Sequence, residues 1–355
     1  VVAVWAGVGL DRALLRTGSG SSNSSAASAP SALPSLAPSA SANAGGSIGN
    51  VPGQVDPALV DINVTLGYQG LQAAGTGIVL TSTGEVLTNN HVITGATRIT
   101  AVDIGNGRSY TASVVGYDRS HDLAVLALRN ASGLTTAQLV DSSKVRTGDP
   151  VVAIGNAGGT GGTPNAADGH VTALDQSIVA GDDATGESER LTGLIQVDAN
   201  VQPGDSGGPL VNSSGGVIGV DTAASQSMRS QNAGNQGFAI PINTALPIAQ
   251  QIVSGKGGGT VHVGTTAFLG VQVSTVSGGS GALVVGAVPG SPAAQAGLTA
   301  GDVITSFGGR TIDSPNALTT QVAGHHPGDS VQVQWTDDTG ASHSASVTLA
   351  SGPPD

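Results

Sequence analysis

From about Val60 onward the chain is written in short apolar runs of period two, cut by Gly, Asn, Asp and Ser, and this pattern constrains the fold most. Runs such as Thr76-Gly-Ile-Val-Leu80, Val86-Leu-Thr88, Val151-Val-Ala-Ile154 and Val217-Ile-Gly-Val220 read as strands. They continue to about Ile242 with turn signals every ~8–12 residues, the spacing of antiparallel barrels or a sandwich. Only three Tyr, three Phe and two Trp accompany 55 Gly, so the core must be built from Val, Leu, Ile and Ala between tight turns. The expectation is an all-β body.

At 355 residues the chain exceeds one ordinary domain. One helical stretch, Ala245 to Ile252, follows the strands, and the glycines from Gly255 to Gly259 mark a hinge. A second body runs from about Thr265 to Leu349 with its own strands, Leu283–Val285, Val331–Trp335 and Ser346–Leu349. It also holds two short amphipathic stretches, Pro292–Ala296 and Ser314–Val322, each opened by the Ser or Pro expected at a helix start.

At the other end, Val1-Val-Ala-Val-Trp-Ala-Gly-Val-Gly-Leu10 is too short to cross ~30 Å of hydrocarbon and reads as the tail of an export or anchor segment. The Ser, Ala, Pro and Gly run that follows cannot bury enough apolar area to offset its ordering entropy, which predicts a disordered tether. A net charge of -12 offers polyanions no attractive surface, so nucleic acid is not expected as a partner. With no cysteine, disulfide scaffolds, thiolate metal sites and cysteine nucleophiles are excluded together. No other metal or cofactor is called for: His325-His326 has no ligand partner at metal spacing, and Gly158–Gly162 lacks the Lys and Ser or Thr of a phosphate loop.

Chemistry concentrates in Gln202-Pro-Gly-Asp-Ser206-Gly-Gly-Pro-Leu210, a serine among glycines between two apolar strands. A serine hydroxyl needs a neighbouring base to take its proton, and the carbonyl it attacks needs N–H groups aimed at its developing charge. Gly204 and Ser206 can supply those N–H groups as an oxyanion hole, while Gly207 and Gly208 leave room for substrate. Among seven histidines, His91 sits where a strand leaves its sheet, in Val86-Leu-Thr-Asn-Asn-His-Val-Ile93, and is the candidate base. Asp122 opens the strand Leu123–Leu126. Because adjacent strand residues face opposite sides, Asp122 rather than His121 is read as pointing inward, to orient the His91 ring.

These three segments, in the order His, Asp, Ser, resemble the chymotrypsin-fold proteases and specifically the HtrA (Deg) group. Gly219-Val-Asp-Thr-Ala223 and Gly237-Phe-Ala-Ile-Pro241 are similar to the strands after the nucleophile in that group. The second body is similar to its PDZ domain, with Thr266-Ala-Phe-Leu-Gly-Val271 as the carboxylate-binding loop and Ala293–Ile304 as the helix and strand framing the groove. The nearest texture is that of the actinobacterial PepA-like type with one PDZ domain.

The resemblance implies an all-β, chymotrypsin-like double β-barrel protease domain followed by a C-terminal α+β PDZ domain. With the segments read from composition, the expected boundaries are 1–16 truncated apolar export or anchor segment, 17–58 disordered tether, 59–254 protease, 255–264 Gly-rich hinge, 265–350 PDZ and 351–355 tail. Its functional content is a cofactor-free serine endopeptidase acting on unfolded or damaged envelope proteins, outside the cytoplasm, secreted or anchored on the outer face of a bacterial membrane. The alternative is a catalytically silent chaperone or scaffold that binds peptides through the PDZ domain. Val201, Thr222 and Ala223 are implied as the substrate pocket, and Phe268, Leu269, Gly270 and Val271 as the loop receiving C-terminal peptides. The resemblance also leaves room for a homotrimer. Two departures stand out: Asp205 replaces the Asn usual before the nucleophile, and Gly155-Asn-Ala-Gly-Gly-Thr-Gly-Gly162 replaces a loop that commonly carries a Pro and an aromatic. The second predicts a looser activation loop.

Overall fold

The structure is a computed structural model. It describes residues 33–37, 50–68, 70–181, 188–222, 236–276 and 279–354; the apolar segment at 1–16 lies outside the described residues, as does much of the tether.

A short helix α1 (Val51–Val55) leads into strands β1 (Leu59–Leu66), β2 (Leu71–Val79) and β3 (Glu85–Thr88), the one-turn helix α2 (Asn90–Ile93), then β4 (Arg98–Asp103), β5 (Ser109–Asp118) and β6 (Leu123–Leu128). The strand order β5-β4-β1-β2-β3-β6 is closed by pairing of β6 with β5, so six strands form a ring. A second closed barrel follows, from β7 (Pro150–Gly155), β8 (Asn165–Gly181), β9 (Ser188–Val197), β10 (Pro209–Asn212), β11 (Val217–Thr222) and β12 (Gly237–Pro241). Closure removes free edges from strands too glycine-rich to protect them with bulky side chains. Buried Val, Leu, Ile and Ala fill both barrels, and the buried aromatics there are Tyr110 and Tyr117.

The helix α3 (Ile242–Val253) returns along the first barrel and buries Ala245, Leu246, Ala249 and Ile252, one stripe of its surface. After β13 (Val261–Val263) the second body contains β14 (Thr266–Phe268), β15 (Val271–Thr275), β16 (Ala282–Ala287), α4 (Pro292–Ala296), β17 (Val303–Phe307), β18 (Arg310–Thr311), α5 (Pro315–Ala323), β19 (Ser330–Thr336), β20 (Ser342–Thr348) and β21 (Ala350–Gly352). Both short helices have the side-chain caps their sequences announce: Ser291 accepts from the Ala294 N–H and Ser314 from the Ala317 N–H. Phe307 and Trp335 supply the bulk of a small core of their own.

Three connecting segments differ from expectation. Residues 255–264 are not a free hinge throughout: Val261–Val263 pairs antiparallel with Gly116–Asp118 of β5, because a Val-His-Val run is itself a strand former. Residues 351–354 of the expected tail are held in place, since β21 pairs with β14 and the Pro354 carbonyl accepts from the Gly95 N–H at 2.8 Å. Within the stretch read as a disordered tether, Leu33 and Leu36 pack on the core, Ala37 bridges to Val140, and Val51 and Val55 are buried. A few well-spaced apolar residues suffice to bind even a polar-rich strip to a groove.

Candidate active site

His91 is carried by α2, the single turn that begins immediately after β3. Its backbone N–H donates to Asp122 Oδ1 at 3.0 Å, and its ring Nδ1 lies 2.8 Å from Oδ2 and 3.0 Å from Oδ1 of the same carboxylate. A carboxylate so placed requires Nδ1–H as donor, which leaves Nε2 as the acceptor of the neutral ring. Asp122 is buried, while the His91 side chain keeps 38% of its surface, so the ring bridges interior and cleft.

Asp122 reaches this position by a route other than strand alternation. Residues 119–121 form a 3-10 turn, and Asp122 itself is left-handed at φ 53°, ψ 47° before β6 begins. The turn is fixed by Asp118, whose carboxylate accepts from the His121 N–H, His121 Nδ1 and the Ser120 hydroxyl. His121 is thereby turned to Asp118 and Asp122 to His91. Two further groups hold Asp122: Asn89 Nδ2 donates to its carbonyl at 2.9 Å, and the Thr222 hydroxyl donates to Oδ2 at 3.1 Å. Thr222, expected in the substrate pocket, therefore spends its hydroxyl on the acid. No local signal marks this role, because the partner lies a hundred positions earlier in the chain.

Ser206 lies in the tight turn between Val201 and β10 and is buried. Its carbonyl accepts from the Thr76 N–H at 2.9 Å, and the backbone of Gly75 is wedged between the two halves: a Cβ there would come 2.6 Å from Val92, the neighbour of His91, and 3.2 Å from the Ser206 carbonyl oxygen. Next to Ser206, a Cβ on Gly207, which has φ +85°, would collide with the Thr76 carbonyl and the Thr88 hydroxyl. Glycine is required at both points of approach. The Ser206 turn of the second barrel is thus seated on β2 and on the end of β3, the strand that leads to His91.

Gly204 has φ +97°, a conformation open to glycine, and leans on Asn156 and Gly159. The Pro203 carbonyl accepts from the Gly158 N–H at 2.7 Å. Because carbonyl and N–H lie on opposite sides of one planar peptide, the Gly204 N–H is turned away from the 156–159 turn. The glycine-rich loop expected to be loose is pinned at several points: Asn156 Oδ1 accepts from the Gly161 N–H at 2.7 Å and Asp61 Oδ2 from the Gly162 N–H at 3.1 Å.

Behind the nucleophile sits a second acidic pair. Asp205 Oδ2 accepts from the Gln202 N–H at 2.8 Å while its Oδ1 is buried with no partner. Burial pushes its carboxyl up to about 6. Asp221 is fully enclosed, and burial first, then the Asp205 charge, hold its carboxyl well above the usual range. Among the described residues neither of its oxygens has a well-formed hydrogen bond, and the Ile154 amide eases the charge. Of the expected pocket, Val201 is buried against Gly237 in the second-barrel core, and Ala223 lies outside the described residues.

In the second body, Phe268 stacks on Tyr68 of the β1–β2 turn at 5.3 Å between ring centroids. The Leu269 carbonyl accepts from the Ala293 N–H, and the Gly270 carbonyl accepts from the Val288 N–H and the Ser291 hydroxyl. Gly270 has φ +82° and a Cβ there would strike Ser291. Val271 opens β15, the outer strand of its sheet.

Two six-stranded barrels meeting at a His–Asp pair and a glycine-cradled serine define the chymotrypsin class of serine peptidase folds, here with a small α+β domain appended. Comparison with known proteins agrees: a trypsin-like peptidase domain is matched over residues 75–220 and a PDZ domain over 267–348. The chain carries a trypsin-like peptidase domain and one PDZ domain, the combination of the HtrA/Deg-type proteins that it resembles. Serine protease PepD of Mycobacterium tuberculosis is 36% identical over 314 residues, 84% of this chain and 65% of that protein. The periplasmic pH-dependent serine endoprotease DegQ of Escherichia coli is 36% identical over 302 residues, 79% of this chain and 63% of that one. The chain thus spans just under two thirds of the length of these relatives. Among solved structures, the HtrA-type protease AlgW with a tripeptide is 28% identical, covers 87% of this chain and 98% of that one, and has a TM-score of 0.49.

Proposed function

We propose that this protein is a serine endopeptidase that cleaves unfolded or damaged proteins outside the cytoplasm, with His91, Asp122 and Ser206 as its catalytic groups. The observation that carries the reading is the Asp122 carboxylate on His91 Nδ1 at 2.8 Å, in a barrel whose strand β2 also holds the Ser206 turn through the Thr76 N–H. In the reaction Ser206 Oγ attacks the scissile carbonyl carbon as its proton passes to His91 Nε2. The oxyanion that forms is held by the N–H groups of Gly204 and Ser206. His91 then returns the proton to the departing amine as the C–N bond breaks, and water, deprotonated by the same ring, releases the acyl group from Ser206. Asp122 stays ionised and steadies the imidazolium.

Support for a location outside the cytoplasm comes from relatives named periplasmic proteases, DegQ and DegP of Escherichia coli. In this reading residues 1–16 serve as export or anchor segment. The PDZ domain captures peptide ends by adding a strand beside β15, whose outward edge is the free side of its sheet, with residues 268–271 facing the terminus. Assembly as a homotrimer belongs to the same reading, and gel filtration tests it. Ser206→Ala is expected to lower turnover of an unfolded protein by on the order of 10⁴-fold or more, and to abolish labelling by a fluorophosphonate. Near wild-type degradation by that variant would reject the assignment and leave the peptide-binding scaffold.

A further inference from the structure

Thr76 sits within β2 and is 1% exposed, yet every polar group it owns is bonded, and its N–H and hydroxyl are committed across the junction of the barrels. Its N–H donates to the Ser206 carbonyl at 2.9 Å. Its hydroxyl donates to the Gly204 carbonyl at 2.7 Å and accepts from the Asn156 N–H at 2.9 Å. Its carbonyl accepts from the Thr88 hydroxyl at 2.7 Å. The residue paired with it on β1 is Asp61, on the same face of the ribbon, whose carboxylate takes the Gly162 N–H. One cross-strand pair of the first barrel therefore grips the 156–162 loop of the second at both ends.

Resting on the peptidase reading above, we propose that Thr76 is a positioning residue for the oxyanion loop, acting through its hydroxyl on the two peptide planes that flank Gly204. The plane after Gly204 is held directly, by the bond to its carbonyl. The plane before it, which carries the Gly204 N–H, is held at one remove: the hydroxyl takes the Asn156 N–H, Asn156 opens the turn, and Gly158 of that turn donates to the Pro203 carbonyl. At a buried strand position the apolar isostere Val would pack equally well by size, so the hydroxyl is the distinguishing choice. Without it the Gly204 carbonyl and Asn156 N–H are left buried and unpaired, and the planes can turn to find other partners. The oxyanion of the transition state then loses its aimed donor. Ground-state binding of substrate makes no use of Thr76.

The test compares wild type, Thr76→Ser and Thr76→Val on a chromogenic small-peptide amide, with inhibition by a peptide aldehyde as transition-state probe. Thr76→Val is expected to lower kcat by about 10–100-fold with KM within about threefold, and to weaken aldehyde binding in parallel. Thr76→Ser, which keeps all four bonds, is expected to stay within about threefold of wild type. Should circular dichroism find the valine variant unfolded, Thr76→Cys replaces it; it has the shape of the serine variant but a weak donor, and a loss of about tenfold relative to Thr76→Ser is expected. A folded variant without the hydroxyl that keeps kcat within about threefold, a loss confined to KM, or a serine variant no better than valine or cysteine overturns the proposal. A wild-type protein with no turnover, or one matched by Ser206→Ala, instead fails the peptidase reading itself.

Discussion

Asp122 and the pair Asp205–Asp221 are buried carboxyl groups of the same site, the first bonded to His91 and Asp205 next to Ser206 in the chain, and they are treated in opposite ways. Asp122 collects donors from the His91 backbone, the His91 ring and Thr222. Asp205 has one donor, and the oxygens of Asp221 have none well formed among the described residues. A buried charge is tolerated when its lone pairs are filled and is suppressed by proton uptake when they are not. The first environment surrounds a carboxylate with donors beside an imidazole; the second favours keeping at least one proton on the pair near neutral pH. The acid–base half of the site is thus built for charge, and the floor under the nucleophile is built to avoid it.

The sharpest way to break this contrast is Asp122→Asn. It removes the anion while keeping the shape, and kcat is expected to fall by about 10³–10⁴-fold because the ring loses its fixed tautomer; steady-state kinetics on a small peptide would read it, and a loss under tenfold would mean the filled carboxylate is structural. Asp205→Asn probes the other side. The native carboxyl lies at about 6, above the unfolded value, so the native state binds the extra proton. Its penalty is absent below the unfolded value near 3.8, grows as pH rises from about 4 to about 6, and is complete above. The asparagine variant should therefore match wild type at pH 4 and be more stable at pH 7.5, by on the order of 1–2 kcal/mol after allowance for screening. Thermal melts at the two pH values that stay parallel would contradict it. Smallest of all, Thr222→Val deletes one of several donors to Asp122 and is expected to cost about three- to tenfold in kcat; no change would show the other donors to be sufficient.

How much of this could be read from the chain alone depends on whether the cause was local. The Gly-Asp-Ser-Gly-Gly turn, the His91 segment and the strands around them are short-range signals; period and turn spacing mark strands and a second body but leave barrel and sandwich open, and the two barrels and PDZ domain follow from the resemblance. Strand alternation was the reason for expecting Asp122 rather than His121 to face His91, whereas the carboxylate is placed there by the Asp118 turn and a left-handed residue. Thr222 and Thr76 were not legible as supports, because each acts on a residue about a hundred or more positions away in sequence. A threonine in a strand looks the same whether its hydroxyl meets water or an aspartate. The hinge misled for a related reason: glycines around 255–259 do mark flexibility locally, but the three residues 261–263 answer to a partner strand elsewhere.

That partner strand has a mechanical meaning. Val261–Val263 lies on the last residues of β5, and Thr260 donates to Asp118 at 2.7 Å, at the foot of the turn that ends in Asp122. Chain leading into the PDZ domain is therefore anchored beside the turn that carries Asp122. A displacement of that domain would be transmitted through this short attachment to the turn.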